Sequence, residues 1–293
     1  MHDEPSWGLL IVIYLFCGGL SAGAMMLSAT AMLLGRGDRY TAIVRRGAFL
    51  APLPVIAGTA LLVFDLGRPL LFWKLFVALR PLSPMWIGSW LLALFSAVTL
   101  FYAYLQLPAR WRRWRVPHGD AWARRLAVAG LPLGLAVAVY TAVLLGVLVA
   151  RPLWNTPALA VLFVLSALSS AAAALMLITP AAEHPALSRA DIVLIAAETL
   201  TLGGLLFYGV VSSSSARHGV GVLAAGDCAL PFWLGVVLLG LLVPGGIEVR
   251  AARAHRVPRA LVTLAAWLVL AGGFLLRYVV VYAGQQSVLL RGL

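Results

Sequence analysis

Eight long apolar runs divide this sequence, and they constrain the fold more than any other feature. Each run is close to the length of about 20 mostly apolar residues that a helix needs to cross a bilayer. Short polar segments rich in Gly, Pro and Arg separate the runs. The sequence therefore predicts an all-α membrane protein with eight transmembrane helices, over residues 7–34, 45–64, 86–105, 125–150, 157–178, 190–212, 231–249 and 258–282.

The composition supports a lipid environment for almost the whole chain. Of its 293 residues, 62% are hydrophobic and 11% are charged, whereas soluble domains average about 45–50% apolar and about 25% charged residues. Eight spans with short connections leave no room for a separate soluble domain. The first run follows Asp3 and Glu4 rather than the basic residues of a secretory signal, so we expect it to remain as a helix.

The basic residues are distributed unequally between the two sides of the predicted bundle. Fifteen of the 22 Lys and Arg residues lie in the loops opposite the N-terminus, and six lie on the side of the termini. The positive-inside rule then places both termini in the periplasm of a bacterium, with the chain in the inner membrane. The net charge of +12 is thus interpreted as a topology signal, not as a nucleic-acid-binding surface.

A weak internal repeat relates the first and fifth runs. Residues 18–27 and 166–175 align small residues with small residues and place Ser21 opposite Ser169. Either two similarly oriented halves or the common composition of small-residue helices explains this match. We predict two four-helix bundles, over 1–150 with a pocket at the outer face and over 151–293, in which glycines allow close helix packing.

The chain lacks the ligands of an intrinsic electron carrier. A membrane haem needs axial ligands that project inward from helices, but every histidine lies in a predicted tail or loop: His2, His118, His184, His218 and His255. Cys17 and Cys228 form no CxxC pair. We therefore expect no haem, no iron–sulfur cluster and no metal site, so any redox role needs a partner's cofactor and a diffusible carrier.

Charged residues inside the predicted spans are informative because each costs about 2.5–3.5 kcal/mol on insertion scales. Glu198 lies roughly 12 Å into the sixth run at about 1.5 Å per residue, which indicates an interior proton-handling or structural role, or a misplaced boundary. Arg277 lies nearer the outer end, where its long side chain could reach the interface. Glu183 and Glu248 are expected to be solvated at the cytoplasmic ends.

Three polar segments are predicted to converge at the outer face. They are residues 65–69, 83–90 and 151–157, with Tyr140 two or three turns below the last of them. Asp65 and Arg68 are spaced i, i+3, which suits either a helix-terminal salt bridge or a site role. Residues 69–84 are predicted to lie along the interface as a short amphipathic helix. Apolar walls with a few polar groups are typical of a pocket for an amphipathic head group.

The same segments resemble the NrfD/PsrC family of quinone-interacting subunits of polysulfide reductase-like complexes. The resemblance runs from residue 7 to about 286 and rests on five motifs in order: residues 14–23, DLGRP at 65–69 with Phe72 and Trp73, SPMW at 83–86 with Gly88-Ser-Trp90, PLWNTP at 152–157, and residues 272–285.

The resemblance implies an eight-helix subunit without prosthetic groups. Such a subunit exchanges electrons between a quinone, which is menaquinone or ubiquinone, and a docked iron–sulfur subunit. The iron–sulfur subunit in turn serves a catalytic subunit of the molybdopterin type. It implies a quinone pocket in the first bundle toward the outer face. Asp65 and Glu198 are the candidate proton-transfer residues, and the candidate quinone-binding residues are Arg68, Trp73, Tyr140, Trp154, Asn155 and Arg277. Some relatives have His or Asn in the first span, where this protein has Trp7, Tyr14, Cys17 and Ser21.

Two other functions remain open at this stage. A solute transporter would use helical repeats and a site at the membrane midplane, which the weak repeat and Pro52 and Pro54 in the second run allow. A passive anchor would only tether a partner protein. Bound quinone and a co-purifying iron–sulfur protein would distinguish these functions from a quinone-exchanging subunit.

Overall fold

A computed structural model describes residues 7–34, 40–65, 69–77, 83–114, 116–147, 153–211, 214–253 and 258–286. Within these residues, eight helices are long and apolar enough to cross a membrane. We number them as spans 1 to 8: Leu9–Leu33, Thr41–Asp65, Pro84–Leu105, Gly119–Gly146, Pro157–Ile178, His184–Val211, Pro231–Arg253 and Arg259–Gln286. The predicted all-α membrane fold with eight spans is therefore confirmed.

Several helices extend beyond the apolar runs that predicted them. Spans 4 and 6 begin at Gly119 and His184, six residues before the predicted boundaries. Hydropathy identifies only the part of a helix that is apolar enough for the hydrocarbon core of the bilayer, whereas the helix itself continues into the polar interface. As a consequence, Glu198 lies 14 residues after the start of span 6, and the misplaced-boundary interpretation of this residue is wrong.

Two spans contain irregular helix. Span 2 consists of the helices Thr41–Leu50 and Pro52–Asp65, and the break at Ala51 lies next to the predicted prolines, which cannot donate backbone hydrogen bonds. The Ser21 hydroxyl of span 1 donates a hydrogen bond to the Ala51 carbonyl and fixes this break against its neighbour. Span 7 is π-helical over Pro231–Leu242 and α-helical over Val243–Arg253.

Spans 1 and 5 occupy the centre of the protein. They contact each other, and both also contact spans 2, 4 and 8. Small residues permit this approach, since a β-carbon at Gly23 would lie 2.2 Å from the Ala167 carbonyl oxygen. Spans 1 and 5 are the pair related by the weak repeat, but the division into two four-helix bundles stays a prediction.

Side-chain contacts define the two ends of the protein. At one end, which we name the terminal face, the Trp7 amide donates to the Gln285 side chain at 2.9 Å, and Gln285 Nε2 donates to the Trp7 carbonyl at 3.0 Å. At the other, which we name the arginine-rich face, the Glu183 carboxylate accepts from the amides of Ala42 and Ile43 at 2.9 and 2.7 Å. Glu183, predicted to be solvated, is half-buried and also holds the start of span 2, because the free amides at a helix N-terminus attract a carboxylate.

Candidate functional site

A largely apolar cavity of about 290 Å³ opens among spans 1 to 4 at the terminal face. Trp7 and Ile11 line it from the side of span 1, and Tyr140 and Leu144 from span 4. The remaining lining residues come from span 2, the connection after it and span 3: Leu62, Asp65, Leu75, Met85, Gly88, Ser89 and Leu92. Its volume lies near the lower end of the range for small-molecule sites, about 300–1,000 Å³.

Tyr140 contributes a phenol group to this cavity. Its hydroxyl donates a hydrogen bond to the Pro84 carbonyl at 3.1 Å, which ties span 4 to the first turn of span 3. Gly88 leaves the space that the ring occupies, since a β-carbon there would lie 1.9 Å from the Tyr140 hydroxyl oxygen. The phenol of Tyr14, on span 1, lies near that of Tyr140. The Tyr14 hydroxyl is buried and has no hydrogen-bond partner among the described residues.

Asp65 ends span 2 and places an exposed carboxylate at the rim of the cavity. Its predicted partner Arg68 lies outside the described residues, so the i, i+3 pair stays a prediction. The described part of the following connection forms two short helical turns, Pro69–Leu71 and Lys74–Val77. Leu75 of the second turn lines the cavity, whereas Trp73 lies on the exposed surface with the Lys74 ammonium 5.9 Å from its ring centre.

The predicted segment 151–157 lies beside the cavity rather than in its lining. The indole of Trp154 is 2% exposed, donates to the Val280 carbonyl at 2.8 Å and lies 5.4 Å from the Trp7 ring. Trp154 therefore supports Trp7, which itself contacts the cavity. Asn155 is exposed and does not belong to the cavity lining.

Arg277 does not reach the interface, and the expectation that it extends to the outer surface is wrong. Its guanidinium is fully buried between the rings of Phe16 and Phe163, at 5.5 and 5.3 Å from their centres. It donates to the Gly273 carbonyl at 2.6 Å, to the Ser166 hydroxyl at 3.2 Å and to the carbonyl of Leu15 at 3.3 Å. The small residues of spans 1 and 5 let hydrogen-bond acceptors approach the guanidinium. The protein interior therefore solvates this side chain in place of water at the membrane interface.

Glu198 is 4% exposed and lies close to Ser166 and Arg277. Together with serines of span 5 and glycines of span 8, it lines a polar gap of about 10 Å³. The predicted interior position of Glu198 is therefore confirmed, and the guanidinium of Arg277 is a positive charge in its surroundings. This interior group is separate from the cavity at the terminal face.

Two further buried acids were missed or misread from the sequence. Asp191 has no exposed surface, and Glu248, expected in water, is 3% exposed because spans 6 and 8 pack against its part of span 7. The spacing of Asp191 and Glu198 could have indicated that Asp191 is buried too, because residues seven apart share one face of a helix. The neighbouring Arg189 made Asp191 resemble the end of the span.

Comparison with known proteins gives the family. The family model described as polysulphide reductase, NrfD, matches residues 1–289. This chain belongs to the NrfD family. The family resemblance drawn from five motifs is thereby confirmed, together with the assignment of a multi-pass membrane protein.

Two NrfD relatives are similar over nearly their full lengths, and a third over about half of its length. A polysulfide reductase chain of Wolinella succinogenes is 33% identical, and the match extends over 98% of this protein and 96% of the relative. Protein NrfD of Escherichia coli is 32% identical, and the match extends over 96% of both proteins. A selenate reductase subunit of Mesobacillus selenatarsenatis is 27% identical over 60% of this protein and 48% of its own length.

Proposed function

We propose that this chain exchanges electrons between a membrane quinone or quinol and an iron–sulfur subunit of the same complex. The coarser part of this function, a membrane subunit of a respiratory oxidoreductase, follows from family membership and from relatives named as polysulfide and selenate reductase subunits. The finer part, quinone as the exchanged molecule, is supported by the cavity at the terminal face.

The cavity has the chemistry that a quinone head group requires. Its walls are apolar except for the phenol of Tyr140, the hydroxyl of Ser89 and the carboxylate of Asp65 at the rim. The Tyr140 hydroxyl donates to the Pro84 carbonyl and the Ser89 hydroxyl to the Met85 carbonyl, and either one can turn its proton to a quinone carbonyl when the head group binds. The apolar walls exclude water from the ring. Exposed side chains such as Phe72 and Leu70, in the same connection as the cavity-lining Leu75, suit contact with lipid, from which a quinone would arrive.

The proposed reaction couples electron and proton transfer at this cavity. Oxidation of a quinol gives a quinone, two electrons and two protons, and the reverse reaction consumes them. The electrons pass to the clusters of the partner, which in turn serves a catalytic subunit of the molybdopterin type. The Asp65 carboxylate, exposed at the rim, accepts a proton from the head group and releases it to water.

The position of the cavity favours this function over the two alternatives. A transporter site is expected near the membrane midplane between repeats, whereas this cavity lies at one end of spans 1 to 4. A passive anchor needs no cavity with placed polar groups.

The test is bound quinone in the mildly purified complex, with a substitution that fills the cavity. Leu92 lines the cavity and is 4% exposed, whereas Leu94 on the same helix is 53% exposed. We expect Leu92→Phe to remove extractable quinone and quinone-dependent turnover, and Leu94→Phe to retain both. An assembled complex that holds no quinone, or equal quinone content in the two variants, would contradict the proposal.

A further inference from the structure

A cavity of about 570 Å³ opens at the arginine-rich face, among the ends of spans 1 to 3, and we name it the arginine cavity. Spans 1 and 2 and the connection after span 3 line it, through Met32, Thr41, Val44, Arg45, Gln106, Leu107, Pro108, Arg110 and Arg112. Three of these nine described lining residues are arginines, and none of the nine is acidic. The arginine cavity is therefore suited to an anion of small-molecule size.

The connection after span 3 is fixed by its own hydrogen bonds. The phenol of Tyr104 donates to the Trp114 carbonyl at 2.8 Å and accepts from the Trp114 amide at 2.7 Å, which closes residues 104–114 into a loop. Within this loop, Arg112 Nε donates to the Leu107 carbonyl at 2.9 Å. The loop thereby holds Arg110 and Arg112 beside the arginine cavity.

The three guanidinium groups keep most of their donors available. Arg112 is half-buried, and apart from the bond of its Nε it donates to no acceptor among the described residues. Arg45 and Arg110 are exposed, and neither forms an ion pair or a hydrogen bond within the described part of the chain. A guanidinium presents paired N–H groups that match two oxygens of one phosphate. The arrangement thus favours a phosphate group as the anion.

Aromatic residues place the arginine cavity at the level of the membrane interface. Trp111 and Trp114 belong to the same loop and are 68% and 73% exposed, and the Arg110 guanidinium lies 6.0 Å from the Trp111 ring centre. Exposed tryptophans are enriched at the level of the lipid head groups. Met32 and Val44 add an apolar wall, which an acyl chain can contact but a soluble anion does not need. Basic pockets between helices on the cytoplasmic side are a known form of lipid site, and the positive-inside rule predicts that side for this face.

We propose that Arg45, Arg110 and Arg112 bind the phosphate of an anionic phospholipid in the leaflet at the arginine-rich face. The guanidinium groups donate to the phosphate oxygens, and the apolar wall contacts the first carbons of an acyl chain. The bound lipid bridges span 2 and the connection after span 3. This site goes beyond quinone exchange and involves no residue that lines the cavity at the terminal face. Inorganic phosphate offers the same oxygens without the acyl chain, so the test includes both.

Two charge-matched double variants of the intact complex test the site. Arg45→Gln with Arg110→Gln removes two lining arginines, whereas Arg46→Gln with Arg113→Gln removes their exposed neighbours, which do not line the cavity, and changes the net charge equally. Native mass spectrometry of the lipid-depleted complex measures binding of dioleoyl phosphatidylglycerol, zwitterionic dioleoyl phosphatidylcholine and inorganic phosphate. We expect the Kd of the tightest phosphatidylglycerol site to rise about 25-fold in the first variant, roughly fivefold for each arginine, and to stay unchanged in the second.

Each other result would overturn the proposal. Equal weakening in the two double variants would show that net charge alone attracts the lipid. Phosphatidylcholine that binds as tightly as phosphatidylglycerol would remove the requirement for an anionic lipid, and inorganic phosphate that displaces the lipid at equal concentration would assign the cavity to a soluble anion. If a double variant does not assemble with its partner subunits, the single variants Arg45→Gln and Arg46→Gln decide by the same comparison, with a difference of roughly fivefold expected.

Discussion

The hydroxyl of Tyr140 occupies the space that a side chain at Gly88 would fill, 1.9 Å from a β-carbon built there. This relationship packs spans 3 and 4 together at the wall of the cavity, which both residues line. A residue with no side chain thus determines where the hydrogen-bonding group of the proposed quinone site lies.

Gly88→Ala is expected to displace Tyr140 and to break its hydrogen bond to Pro84. Quinone-dependent turnover should fall about tenfold, which corresponds to about 1.4 kcal/mol, mainly through a higher KM for quinone. Gly204→Ala is the matched control, because no atom lies within 4 Å of a β-carbon at that position. Steady-state kinetics with a soluble quinone analogue measures the effect, and equal KM values in the two variants would disprove the role of this contact.

Asp65→Asn is expected to abolish quinone-dependent turnover while dye-dependent activity of the assembled complex persists. The amide keeps the size of the side chain but cannot accept the proton released by a quinol. Asp227→Asn replaces another exposed acid, in the connection before span 7, and should leave both activities intact. Unchanged quinone turnover in Asp65→Asn would remove Asp65 from the proposed mechanism.

Arg277→Met is expected to destabilise the protein strongly. The substitution removes three hydrogen bonds donated by a charged group, each worth about 1.5–3 kcal/mol, and the positive charge near Glu198. The added substitution Glu198→Gln should recover part of the loss, since no buried carboxyl then depends on that charge. Thermal unfolding in detergent measures the effect, and additive losses in the double variant would show that the two residues are not coupled.

Gly23→Ala is expected to separate spans 1 and 5. A β-carbon at Gly23 would lie 2.2 Å from the Ala167 carbonyl oxygen, and backbone atoms cannot move aside as a flexible side chain can. We expect a melting temperature several degrees lower, in line with about 1–3 kcal/mol for overpacking. Gly203→Ala has open space around its β-carbon and is the control; an equal melting temperature in the two variants would contradict the close packing.

Much of the fold could be predicted because a membrane restricts the choices. Lipid offers no hydrogen bonds, so each apolar run must form a helix, and the eight runs correspond to the eight spans. The cavity was predicted in part: the segments at Asp65, Gly88 and Tyr140 do meet. Trp154 and Asn155 were predicted in the same pocket, yet they lie outside its lining, because sequence alone indicates the end of a helix but not its rotation.

The buried acids show where sequence information ends. Glu198 was identifiable because no helix boundary lies near it, whereas Asp191 and Glu248 lie near the ends of apolar runs, where charged residues are ordinarily solvated. Their burial depends on how spans 5 to 8 pack around them, which is a property of the assembled helices.

The sequence by itself determined the number of spans, the family and the irregularity of span 2, because each depends on local composition or on motifs in order. Only the tertiary structure decided that Arg277 turns inward, that Glu248 and Asp191 are buried, and that Trp7 rather than Trp154 faces the cavity. The physical reason is that hydropathy fixes how deep a residue lies in the bilayer. Which neighbour it faces at that depth is set by side-chain packing between helices distant in the chain.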